Sequence, residues 1–83
     1  MRSNAELFTA LDRLIDQWCE RRALRPLRLI LRAYPMASLL TDSWYELLDA
    51  LRSLRCLEEP DISEAELTVI EDALRAVESA MNR

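Results

Sequence analysis

Residues 63–81 read SEAELTVIEDALRAVESAM, and the spacing of apolar residues in this stretch decides the fold class. Large apolar residues recur at intervals of three and four, the repeat of one face of an α-helix; they are Leu67, Ile70, Leu74, Val77 and Met81. Ser63 and Glu66 have the spacing of a capping box, in which the serine oxygen accepts from the N3 amide and the glutamate reaches back to the cap amide. The stretch therefore predicts a helix over about 64–81.

A second stripe of smaller residues runs beside the first on this helix. It consists of Val69, Ala73, Ala76 and Ala80. The two stripes form either one broad core face, since alanine is the best helix former, or two separate packing surfaces. In the second case the small residues are a ridge on which a second copy of the chain packs, and we expect a homodimer through it because a domain of this size buries little surface alone.

The same apolar repeat predicts three further helices. Their expected ranges are about 4–22, 26–34 and 42–56. Pro26 opens the short helix and Pro35 ends it, while Thr41 is the expected N-cap of the third. Leu39 and Leu40 in the connector are expected to turn inward. The sequence thus predicts an all-α fold, a small helical bundle of three longer helices and one short helix, in a single domain over 1–83.

Composition places the chain among globular proteins, with 51% apolar and 31% charged residues. Glycine is absent, so phosphate-binding glycine loops and helix caps made by glycine are not expected. Cys19 and Cys56 form no C-x-x-C pair and follow no secretory signal, which favours reduced thiols and a cytoplasmic location. We expect Cys19 to be buried as a small apolar residue, whereas Cys56 lies off the apolar stripe. No apolar run reaches the length of a membrane span.

The sequence contains few of the residue types that common catalytic mechanisms require. Histidine is absent, and neither cysteine has an identifiable base beside it. The acidic connector at 58–61 lacks the glycine of a calcium loop, and no cysteine cluster has zinc spacing. We therefore expect a protein that is not an enzyme and has no catalytic residue, metal site or cofactor.

Residues 21–32 read RRALRPLRLILR, with five arginines and no acid. Charge is divided unevenly, since residues 1–35 carry +3 and residues 36–83 carry −7. On one continuous helix the arginines share a narrow stripe and apolar residues form an adjoining one; the first stripe is Arg21, Arg25, Arg28 and Arg32, and the second is Leu24, Leu27, Leu31 and Tyr34. If a helix instead restarts at Pro26, only Arg28 and Arg32 share a face, while Arg21 and Arg22 become last-turn residues of the first helix. We expect the arginines to meet acids of the same chain or of a partner protein.

Two functions remain open at this stage. The favoured one is a protein–protein interaction module, such as an adaptor, regulator or assembly subunit. Tyr45 points about 100° away from Trp44, which lies in the core stripe, so it is either a further anchor for a partner or a half-buried flank of the core. The alternative is a small nucleic-acid-binding regulator that uses residues 21–32, although the net charge of −4 opposes phosphate binding. Membrane-surface binding is less favoured, because nine residues of helix bury little apolar area. The candidate partner-binding residues are Arg25, Arg28, Arg32, Tyr45, Val69, Ala73, Ala76 and Ala80.

Overall fold

The computed structural model describes residues 3–36, 41–57 and 62–82, and the regular structure in these ranges consists of four α-helices. They are α1 (Asn4–Arg21), α2 (Leu24–Leu31), α3 (Thr41–Arg55) and α4 (Glu64–Met81). The all-α bundle of three longer helices and one short helix is confirmed. The predictions for Leu39, Leu40 and the connector at 58–61 concern positions outside the described residues.

The helices pack in a ring around one apolar core. Contacts join α1 to α2, α2 to α3, α3 to α4 and α4 back to α1. Each helix turns its apolar stripe inward, since burial of apolar area is the main favourable term in folding. The fully buried side chains of the stripes include Leu7, Leu11, Leu14, Trp18, Ile30, Leu47, Leu51, Leu54, Ile70 and Val77. Phe8 is half-buried and lies within ring-contact distance of Trp44, 6.4 Å between centroids.

Both ends of α2 differ from the prediction of a helix over 26–34. The helix begins at Leu24, so Pro26 lies within the first turn, where its missing amide breaks no intrahelical bond. It ends at Leu31, and the chain then turns so that the amide of Tyr34 donates to the carbonyl of Ile30 at 3.0 Å. A residue that precedes proline is disfavoured in helical backbone, so Tyr34, which precedes Pro35, does not continue the helix.

Serine side chains cap the N-termini of α1 and α4. Ser63 and Glu66 form the complete capping box at the start of α4. Ser3 Oγ accepts from the amide of Glu6 at 3.2 Å at the start of α1. Thr41 is the first residue of α3 rather than its cap, which corrects the predicted start by one position. None of the helices in the described ranges combines the length and apolar character needed to cross a membrane.

Helix α1 ends in a left-handed residue although the chain has no glycine. Arg22 has φ 57° and ψ 39°, its amide donates to the carbonyl of Cys19, and the amide of Ala23 donates to the carbonyl of Trp18. These are the two hydrogen bonds of a Schellman motif. Because a residue with a Cβ atom is strained in this region by about 1–2 kcal/mol, arginine is a poor choice at this position.

Arg22→Gly is accordingly expected to unfold with a free energy about 1 kcal/mol higher than Arg22→Ala. Both variants remove the same charge, so the comparison isolates the backbone conformation. Urea unfolding followed by circular dichroism measures the difference. In a helix interior the order is reversed, because glycine is about 1 kcal/mol less favourable than alanine there, and that result would contradict the left-handed cap.

Candidate functional site

The outward side of α2 exposes large apolar side chains. Pro26 and Ile30 are buried, and since successive residues of a helix are rotated by about 100°, Leu24, Arg28 and Leu31 point away from the core. Leu24 is 58% exposed and Leu31 is 51% exposed. Of the large apolar side chains in the described ranges, only one other, that of Tyr45, is exposed. Such exposure on a small domain is typical of an interaction surface.

Three arginines border these leucines. Arg25, Arg28 and Arg32 are exposed and together line a shallow cavity of about 230 Å³, which Leu29 and Leu57 also line. The helix does not restart at Pro26, because α2 begins at Leu24 and includes Arg25, so the alternative in which Arg25 shares a face with Arg28 and Arg32 applies. Within the described part of the chain, no carboxylate forms an ion pair with Arg28 or Arg32. We call Leu24, Arg25, Arg28, Leu31 and Arg32 the α2 face.

A second surface of opposite charge lies next to the α2 face. Arg32 shares a groove of about 140 Å³ with Glu46 and Asp49, and the groove separates α2 from α3. Beyond it, Tyr45 is 58% exposed, in agreement with its predicted direction away from Trp44. We call Asp42, Tyr45, Glu46 and Asp49, all exposed on the outer side of this helix, the α3 face.

The small-residue ridge of α4 is mostly part of the core. Ala73 is fully buried within the chain itself, so it cannot belong to an exposed ridge, and this prediction is corrected. Val69, Ala76 and Ala80 are half-buried and pack against the same core. Residues at steps of three and four on α4 thus form one broad face, because α1 and α3 both pack on this helix.

Arg21 shows where one arginine of the basic segment is used. Its Nη2 donates to Glu66 Oε1 at 2.8 Å, and its Nη1 donates to Glu66 Oε2. Glu66 Oε1 also accepts from the indole nitrogen of Trp18 at 3.1 Å and from the amide of Ser63 at 3.1 Å. Residue Glu66 is only 5% exposed, so this carboxylate joins the end of α1 to the start of α4 with its hydrogen-bonding capacity satisfied.

The pKa of Glu66 reflects this environment. The hydrogen bonds from Arg21, followed in effect by those from Ser63 and Trp18, lower the pKa from 4.5 to about 2, although burial acts in the opposite direction. The carboxylate is therefore charged and paired throughout the neutral range. Its role in the molecule is to hold two helices together, which agrees with the expectation that some arginines meet acids of the same chain.

Tyr34 forms a similar polar contact at the opposite end of the bundle. Its hydroxyl donates to Asp12 Oδ1 at 2.8 Å and lies 3.3 Å from the carbonyl oxygen of Phe8. Burial, the hydrogen bond to Asp12 and the charge of Asp12 raise the pKa of Tyr34 to about 12. The tyrosine is therefore neutral at physiological pH and fixes the residues after α2 against α1.

The cysteines are free, and both are exposed. For Cys19 this corrects the prediction of a buried small residue, since position 19 follows Trp18 on the outer side of α1. Among the residues that the structure describes, no group of three or more histidine, cysteine, aspartate or glutamate side chains is placed to hold a metal ion.

Sequence reasoning missed Leu24 and Leu31 as site residues. Their spacing placed them on a stripe beside the arginines, but it did not reveal that this stripe faces solvent. A signal was present, because an eight-residue helix with four leucines and an isoleucine has more apolar side chains than one inward face accommodates. Comparisons of the chain with protein-family models, with curated proteins and with solved structures gave no match.

Proposed function

We propose that this chain is a non-enzymatic protein–protein interaction module that binds its partner through the α2 face. The observation that carries the proposal is that Leu24 and Leu31 are exposed to solvent beside a row of three arginines. Exposed leucines contribute affinity when a partner buries them. Arginine is enriched in protein interfaces because it combines charge with a large apolar stem. A cytoplasmic location is part of the proposal, supported by the two free thiols.

The expected partner surface follows from the chemistry of the α2 face. Arg28 and Arg32 have no ion pair within the described residues, so a partner that supplies carboxylates gains two charge-assisted hydrogen-bonding sites. Leu24 and Leu31 lie about two helical turns apart, which suits a partner with an apolar patch of similar length. The partner is therefore acidic with apolar anchors.

A nucleic-acid-binding regulator is the second candidate, favoured by the convergence of Arg25, Arg28 and Arg32 on one cavity. Two features weigh against it. Exposed leucines lie beside the arginines, where phosphate binding has no use for them, and the carboxylates of Glu46 and Asp49 line the adjoining groove. Both features suit a protein partner instead.

The double variant Arg28→Gln/Arg32→Gln tests the proposal against a matched control. We expect it to capture at least about tenfold less partner protein from the native cell than the wild type, because each charged contact at an interface contributes substantially to affinity. The control is Arg13→Gln/Arg52→Gln, which makes the same change in composition and net charge at exposed positions away from the face. Quantitative mass spectrometry of affinity-purified material is the readout.

The same samples distinguish the second candidate. We expect nuclease treatment to leave the set of captured proteins unchanged. We also expect labelled DNA and RNA not to show the binding typical of phosphate contacts, in which the affinity falls steeply between about 50 and about 200 mM salt. Equal capture by the face variant and the control would contradict the proposal. Salt-sensitive nucleic-acid binding lost only in Arg28→Gln/Arg32→Gln would replace it with the regulator.

A further inference from the structure

The α2 face and the α3 face have opposite charge, and each exposes at least one large apolar side chain. The α2 face presents three arginines beside Leu24 and Leu31, and the α3 face presents three carboxylates beside Tyr45. The three large apolar side chains that are exposed in the described ranges are thus divided between these two surfaces. Each surface has the chemistry that the other would bind.

The order of these groups across the molecular surface is as informative as their identity. Helical positions, rotated by about 100° per residue, place Leu24 and Leu31 furthest from the groove on α2 and the arginines nearer to it. On α3, Glu46, Asp49 and the buried Ala50 line the groove. The rotation of about 100° per residue places Tyr45 on the side of Glu46 opposite Ala50, and so away from α2. Across the surface the sequence of groups is therefore leucine, arginine, groove, carboxylate and tyrosine.

This order is self-complementary. Two copies related by a rotation of 180° about an axis along the groove face each other across this surface. The arginines of one copy then lie opposite the carboxylates of the other, and the leucines lie opposite the tyrosine. The same rotation creates both contacts at once, which is the property of an isologous two-fold interface. We propose that the occupant of the α2 face is the α3 face of a second copy, in a symmetric homodimer closed by two identical contacts.

The charges of the groove support this occupant. Arg32 shares the groove with Glu46 and Asp49, yet among the ion pairs of the described residues none joins them. Within the described residues these side chains therefore have no ionic partner, and a second copy of the chain can supply one. The net charge of −4 does not oppose the pairing, because complementary potentials act locally and are screened within about 10 Å at ordinary salt. The inference replaces the α4 ridge as the dimer surface, since Ala73 is buried within its own chain.

This inference rests on the proposed function, because it names the partner of the same face, and reciprocal charge reversal tests it. One variant is Arg28→Glu/Arg32→Glu, and the other is Glu46→Arg/Asp49→Arg. In each, both contacts of the homodimer join like charges, so we expect self-association to weaken at least about 100-fold. When the two variants are mixed, both contacts join opposite charges again, and we expect a heterodimer of nearly wild-type affinity. Sedimentation equilibrium from about 5 to about 500 μM gives the masses.

Circular dichroism verifies that each variant is folded, and Arg13→Glu/Arg55→Glu, at exposed positions away from both faces, controls for the added negative charge. A variant that fails to fold is replaced by Leu24→Ser/Leu31→Ser, which should also yield monomers. A wild-type protein that is monomeric at about 500 μM would overturn the inference while leaving the proposed function intact, since the capture of another protein through Arg28 and Arg32 is measured separately. A dimer dissociated by Ala76→Glu but by neither charge reversal would overturn it in favour of the α4 ridge.

Discussion

Trp18→Ala is expected to lower the free energy of unfolding by about 3 to 5 kcal/mol, the largest effect of any single substitution considered for this protein. Trp18 is fully buried at the end of α1, and its indole nitrogen donates to Glu66 Oε1. Alanine leaves a cavity and removes one donor from a buried carboxylate. A domain of 83 residues has a stability of only about 4 to 12 kcal/mol, so a large part of the population should unfold.

Urea unfolding monitored by circular dichroism measures this loss of stability. The fluorescence of Trp44, the tryptophan that remains in the variant, gives a second signal. Tyr45→Ala is the matched control, because it truncates an aromatic side chain that is exposed. We expect that control to change stability by less than about 0.5 kcal/mol at low protein concentration. Similar losses in the two variants would show that Trp18 is not the packing centre of the α1–α4 contact.

Glu66→Gln is expected to lower the free energy of unfolding by about 2 to 3 kcal/mol at pH 7. The amide retains the size of the side chain and can still accept from Trp18 and Ser63, but the charge-assisted bonds from Arg21 are lost. Glu71→Gln, at an exposed position of the same helix, should stay within about 0.5 kcal/mol of the wild type. Arg21→Gln should destabilise to a similar extent, and the double variant by less than the sum of the two.

The pH dependence of this effect has a definite sign. The pKa of Glu66 is lowered from 4.5 to about 2 on folding, so the stabilisation is fully present above pH 4.5 and is lost as the pH falls from 4.5 towards 2. The full shift corresponds to roughly 3 kcal/mol. The difference in stability between wild type and Glu66→Gln should therefore shrink steadily over this range. A difference that remains constant from pH 7 to pH 2.5 would show that Glu66 gains nothing from its charge.

Trp18 and Glu66 explain how the chain fixes the arrangement of its first and last helices. It does so without glycine, and without a disulfide or a metal site in its described residues. Apolar stripes bring α1 and α4 together, but burial is not directional. The carboxylate of Glu66 adds direction, since it accepts from Trp18 and Arg21 only when the two helices are in register. Arg21 is thereby paired within the chain, so the arginines of α2 are the ones that belong to the proposed interaction surface.

The sequence by itself determined the helices, because helix formation depends on local spacing. The repeat of Leu67, Ile70 and Leu74 predicted α4 with the bounds that the structure has. Ser63 and Glu66 predicted its capping box for the same reason, since both partners lie within one turn. The direction of Tyr45, about 100° away from Trp44, likewise followed from helical geometry, whereas its exposure of 58% is a result of the packing.

Only the tertiary structure decided which apolar and charged groups remain on the surface. Leu24 and Leu27 belong to the same stripe. Leu24 is nevertheless exposed, because the neighbouring helices cover the opposite side of α2. Ala73 is buried by helices that are distant in sequence, and Glu66 meets Arg21 across 45 positions of the chain. Burial and ion pairing between distant segments depend on how helices pack, and periodicity specifies the apolar face of each helix but not the neighbour that covers it.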